Sequence, residues 1–243
     1  MNVFPIVLDD GIVWKLFSDS YSLEMGQYVA RILFEIRDVF TDIFGDYTVN
    51  AHPVLGVLPT QGNPQTERAN SIIFISKNAT YIQIIYQFSH ELCHFMIPGE
   101  VSKSYRWFEE TLCQIMSWYA MKFLYCSRFT RTTGLYSGLY QAIPKYIAKE
   151  QTDRVSTGGL TLSHFIRKNL NYLHLNCYDR RMNRAIAYEM YPLFLETPGL
   201  WGVVPFLHSL TDEMSLSDAL TGLCRTIDVE ESRRDQFIQR LTE

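Results

Sequence analysis

The period of the hydrophobic positions changes along this chain, and each change marks a different kind of element. Residues 3–17 hold two apolar runs, VFPIVL and IVWKLF, around Asp9-Asp10-Gly11. Asp-Gly between β-prone runs predicts a hairpin, because glycine accepts the positive φ of a tight turn. From residue 20 to 44, Tyr28, Val29, Ile32, Leu33, Ile36, Val39, Phe40 and Ile43 recur at helical spacing. That predicts a long amphipathic helix ended by Gly45. Residues 47–51 and 54–58 read as short strands, and 60–70 as a polar loop containing Gly62-Asn63-Pro64.

The run SIIFIS at 71–76 is a strand by its isoleucine and phenylalanine content. Asn78-Ala79-Thr80 then offers a helix start. A helix over 81–96 is stopped by Pro98-Gly99, and a second long helix covers 107–125. Beyond Thr130 the pattern is helical almost throughout, with pieces at 135–149, 161–174, 180–195, 200–210, 215–225 and 230–241. These readings predict an α+β fold. A lobe over 1–130 carries a small mixed sheet and two functional helices. A mainly helical lobe over 131–243 closes a cleft, unless the two form one continuous domain.

Composition narrows the function classes. Hydrophobic residues make up 47% of the 243, enough for a sizeable core, and a net charge of −4 gives no basic surface for nucleic acid or a membrane. No apolar run is long enough for a membrane span, and the N-terminal stretch lacks the basic start of a signal peptide. Cysteines at 93, 113, 126, 177 and 224 are odd in number and show no C-x-x-C pair. Reduced thiols and a cytoplasmic location are the expectation. Arg180, Arg181 and Arg184 read as a solvated helix face, and His52 and His208 as structural.

The chemistry concentrates in His90-Glu91-Leu92-Cys93-His94, an H-E-x-x-H sequence on the 81–96 helix. Helical positions four apart differ by about 40° in azimuth and roughly 6 Å along the axis. The two imidazoles therefore aim at one point, with Glu91 beside them. A hydrolytic zinc ion takes three protein ligands and keeps a water that a general base deprotonates. The third ligand must come from elsewhere, and the next helix offers Glu109 and Glu110. These neighbours point about 100° apart, so geometry admits one of them and does not choose.

Together with Trp107-Phe108-Glu109-Glu110-Thr111-Leu112, the motif resembles the gluzincin zinc peptidases of the thermolysin and aminopeptidase N type. Their second helix reads W-L-N-E-G-x-A. The resemblance implies one Zn2+ held by His90, His94 and Glu110, with Glu91 as general base. Glu109 stands where Asn or Asp is usual, Thr111 replaces Gly and Cys113 replaces Ala. Ala187-Tyr188-Glu189-Met190-Tyr191 resembles the Y-E-K-G helix of the aminopeptidases, which implies Tyr188 as donor to the oxyanion. Met190 and Tyr191 depart from that pattern, and Tyr172, His164 and His174 are rivals for the role. In the family the strand before the motif helix forms the sheet edge and pairs with an extended substrate. The resemblance gives 71–76 that place; a plain core strand is the other reading.

The aminopeptidases' G-x-M-E-N stretch is absent, so exopeptidase action has no support here. The expected function is zinc-dependent hydrolysis of a peptide or protein substrate. The alternative is a metal-binding or regulatory protein on a peptidase-like fold without turnover. A third reading makes the motif a coincidence in a metal-free helical interaction protein.

Overall fold

The computed structural model describes residues 2–7, 13–18, 21–51, 56–128 and 137–243. Over these residues it is an α+β fold, 69% helical, with one small mixed sheet. Strands β1 (Asn2–Val7) and β2 (Val13–Ser18) pair antiparallel in the register Asn2 to Ser18 through Val7 to Val13. The expected hairpin is therefore present, with its Asp-Gly turn outside the described residues. Strands β3 (Gly56–Thr60), β4 (Gln65–Glu67) and β5 (Ile72–Ser76) complete the sheet in the order β1-β2-β3-β5-β4. β2, β3 and β5 run parallel, and β4 returns antiparallel along β5.

Helix α1 (Leu23–Ala51) covers the predicted 20–44 helix, and Gly45 interrupts it at φ 76° and ψ 162°. Only glycine adopts such a conformation cheaply. The chain then resumes helical backbone, so the strand expected at 47–51 is not formed. Tyr47, Thr48 and Val49 favour strand locally, but among the described residues no strand pairs with them and the preference is overridden.

By contact density the chain falls into two units. One comprises Met1–Met96 and Met116–Ile147, the other Ile97–Ile115 and Ala148–Glu243. The lobe boundary expected at 130–131 lies outside the described residues. In the first unit, Leu16, Val57, Ile73 and Ile75 of the sheet are fully buried, as are Val29, Leu33, Ile36 and Phe40 of α1. Each such side chain contributes about 1.5–3 kcal/mol on leaving water. Helix α2 (Tyr81–Phe95) adds Ile84, Ile85, Phe88 and Leu92 to this core.

Helix α3 (Arg106–Arg128) is apolar on almost every side: Trp107, Phe108, Leu112, Ile115, Met116, Trp118 and Met121 are all fully buried. A helix of that kind belongs to the interior, not to a surface. In the second unit come α4 (Ser137–Thr152, continuing from the first), α5 (Leu162–Leu175) and α6 (Arg180–Glu196). A 3-10 segment over Pro198–Ser209, α7 (Leu216–Cys224) and α8 (Glu231–Thr242) follow. Phe194 anchors this unit, with its ring 4.4 Å from Trp201 and 5.9 Å from Phe237 between centroids.

The arginine reading needs correction. Arg181 stays exposed, but Arg184 is buried. Its guanidinium binds the Glu150 carboxylate and, at 2.6 Å, Asp153 Oδ2. A lone buried guanidinium would be costly, and two acidic partners remove that cost. Charge clustering in sequence shows neither partner, because Glu150 lies on α4 and Asp153 just beyond its end, some 30 residues earlier in the chain. Among the described residues no helix is long and apolar enough to cross a membrane. All five cysteines are free thiols.

Candidate metal centre

Helix α2 starts where β5 ends, and side chains fix the join. The Thr80 backbone N–H donates to Gln83 Oε1 at 2.8 Å, closing the first turn. One turn later Gln87 Oε1 accepts from the Ser76 N–H at 3.0 Å, and its Nε2 donates to Ser76 Oγ at 3.1 Å. Between the buried faces of α2 runs one half-buried polar stripe: Gln83, Gln87, His90 and His94. Their spacing of four, three and four keeps them on one side of the helix. The stripe begins by clamping the sheet and ends in two imidazoles.

Those imidazoles converge. His90 Nε2 and His94 Nε2 are 3.3 Å apart, with ring centroids at 5.0 Å. Two nitrogens bound to one tetrahedral zinc at about 2.0–2.1 Å are separated by about 3.3–3.4 Å. The spacing thus equals one edge of the tetrahedron. Glu110, one turn into α3, joins them: the ligand atoms of His90, His94 and Glu110 all lie within 4.8 Å of one another. Two imidazoles and one carboxylate are a donor set suited to zinc with a position left open. The neighbouring Glu109 is buried, whereas Glu110 is half-buried with the histidines. The choice that helical geometry left open is therefore made by which way α3 is rolled.

Glu91 is buried, at 5% exposure. Thr66 of β4 sits over it. The Thr66 hydroxyl is 2.8 Å from the Glu91 carbonyl oxygen and 3.0 Å from Glu91 Oε2. Two residues on, Arg68 donates to the His94 carbonyl oxygen from Nη2 at 2.7 Å and from Nε at 3.2 Å. A guanidinium at the last carbonyls of a helix is favoured by the helix dipole. It also holds the turn that carries His94.

The strand expected at 71–76 is formed, as the plain core strand of the two readings; its expected place at the sheet edge is corrected. β5 is interior, with β3 on one side and β4 on the other, and β4 pairs over Ile72, Ile73 and Phe74. The edge strand is β4, and it is also the strand that touches the base. Sequence reasoning read 60–70 as loop, because a three-residue strand has no visible alternation. Nothing local in Gln65-Thr66-Glu67-Arg68 announces contacts to residues about 25 positions further on.

Two more expected or neighbouring groups complete the picture. Tyr188 stands on α6, with the Arg154 guanidinium 3.7 Å over its ring centroid. That contact takes the ring face and leaves its hydroxyl uncommitted to Arg154. Of its rivals, Tyr172 donates its hydroxyl to Asp179 Oδ2 at 2.7 Å, and His164 lies in the first turn of α5, its backbone N–H donating to Thr161 Oγ1. Cys177, which the sequence did not single out, feels the charge of Glu110. Burial raises its thiol pKa, Glu110 raises it further, and Arg106 pulls it down in part. The Cys177 thiol therefore stays protonated near neutral pH.

Compared with known proteins, the chain matches no family model, no curated protein and no solved structure.

Proposed function

We propose that this protein is a zinc-dependent peptide hydrolase of gluzincin-like organisation. The observation that carries the reading is the convergence of His90, His94 and Glu110, with Glu91 on the same helix as the histidines. A metal-activated water needs a general base to take its proton, and Glu91, next in sequence to His90, is the carboxylate that fits that role. When bound, zinc supplies a Lewis acid for the substrate carbonyl and a water acidified toward neutral pH.

The chain's own residues do the rest. His90, His94 and Glu110 hold the ion and leave one position open. Glu91 takes the proton from the attacking water and delivers it to the departing amine nitrogen. β4, an edge strand among the described residues, offers an extended substrate its outer side, which orients the scissile bond by backbone pairing. Tyr188 is the proposed donor to the oxyanion, a role that contributes on the order of 3 kcal/mol to the transition state. The substrate is a peptide or protein segment able to lie extended. The free thiols fit a reducing compartment.

The test is Glu91→Gln, which keeps the shape and removes the base. Wild type should carry one zinc and cleave members of an internally quenched peptide library. The variant should keep its zinc and lose at least about 100-fold in kcat. Equal cleavage by both proteins contradicts the reading.

A further inference from the structure

The Glu91 carboxylate is buried, and a buried carboxylate must find donors or remain costly. Its donor comes from the edge strand, 25 residues earlier in the chain. The Thr66 hydroxyl lies within bonding distance of two acceptors of that one residue, the carbonyl oxygen at 2.8 Å and Oε2 at 3.0 Å. A hydroxyl has a single proton and so donates to one acceptor at a time. Two positions on, Arg68 fixes the His94 carbonyl through two nitrogens. The short segment 66–68 thus grips α2 at the base and at the backbone carbonyl of His94.

We propose that Thr66 is a positioning residue for the base Glu91, with Arg68 fixing the same mount at His94. The proposal rests on the zinc-hydrolase reading. With Oε2 bound by Thr66, Oε1 is the oxygen that receives the proton. An O–H bond of water breaks as Oε1–H forms and the water oxygen bonds to the substrate carbonyl carbon. Oε1–H then breaks as the C–N bond parts and an N–H forms on the leaving amine. Thr66 keeps its own proton throughout. While Glu91 carries the extra proton, the hydroxyl turns to the carbonyl oxygen and no heavy atom has to move. Because Thr66 belongs to the edge strand, a substrate pairing with β4 tightens the mount of its own base.

Thr66→Val removes the hydroxyl and keeps the branched shape; Thr66→Ser keeps the hydroxyl; Thr66→Ala is a second deletion in case the valine does not pack. Zinc content, thermal midpoint, and kcat and KM on the quenched-peptide library are measured for each. The affinity of acetohydroxamate for the cobalt-substituted proteins is followed by visible absorption, since its hydroxyl reaches the base without turnover. Valine and alanine should keep one zinc, lose about 10- to 100-fold in kcat with KM within about 2-fold, and bind acetohydroxamate about 5-fold more weakly. Serine should return both kcat and hydroxamate affinity to within about 3-fold of wild type. The proposal is overturned if the deletions match wild type in both kcat and hydroxamate affinity, if KM alone rises, or if serine is as impaired as valine. A wild-type protein that takes up no zinc overturns the zinc reading instead. If zinc binds and no peptide is cleaved, hydroxamate affinity alone decides for or against Thr66.

Discussion

His90 and His94 present their Nε2 atoms to each other at 3.3 Å, the separation that the proposed zinc ion would bridge. Two rings at that distance are either hydrogen-bonded through one proton or bound to a common cation, and Glu110 beside them favours the cation. Losing one imidazole leaves two ligands. His94→Ala is expected to weaken zinc binding by more than about 100-fold, beyond the 10- to 100-fold typical of outer-shell partners. Competition with a chromophoric chelator measures it, and an unchanged affinity would refute the ligand set.

Glu109 and Glu110 are adjacent and chemically identical, yet only Glu110 stands with the histidines. Glu110→Gln should lower zinc affinity by at least about 10-fold, while Glu109→Gln leaves it within about 2-fold. The same chelator titration reads both. The reverse ranking would mean that α3 is rolled by about 100° from the position described.

Asp179 caps α6, accepting from the Arg181 and Met182 amides, and it also accepts from the Tyr172 hydroxyl. Burial raises its carboxyl pKa, but these hydrogen bonds outweigh burial and hold it below the ordinary carboxylate value. A depressed carboxylate contributes stability at pH values above its unfolded pKa and loses it as pH falls through the folded pKa. Asp179→Ala should cost about 1 kcal/mol at neutral pH. Its difference from wild type should shrink as pH drops below about 4. Urea denaturation at neutral and acid pH checks both; a gap that widens in acid would contradict the assignment.

Gly26 opens α1 beneath the ring of Phe4, and a Cβ there would overlap that buried ring. Helix propensity alone makes Gly26→Ala stabilising by roughly 1 kcal/mol. Overpacking against β1 makes it destabilising by about 1–3 kcal/mol, and that effect should win. A raised thermal midpoint for Gly26→Ala would show that β1 and α1 do not meet in this way.

The helices were legible because burial on one face imposes a period of 3.6, and α2, α3, α5 and α6 begin within a residue or so of their expected starts. The histidine spacing was legible for the same reason. What could not be read depends on which distant segments meet. β4 is three residues long, so no alternation marks it, and its antiparallel pairing moved the sheet edge away from the isoleucine-rich strand. Thr66 and Arg68 acquire meaning only through α2. Arg184 looked solvated until the end of α4 and the residue after it supplied Glu150 and Asp153. Residues 47–51 favoured strand locally and are helical, with no strand paired to them among the described residues.

X-ray absorption at the zinc edge of the purified protein tests the centre most directly. The account predicts one zinc per chain, with two imidazole nitrogens and oxygen donors at about 2.0–2.1 Å and no sulfur in its shell. A protein without zinc, or a shell with sulfur at about 2.3 Å, would contradict it.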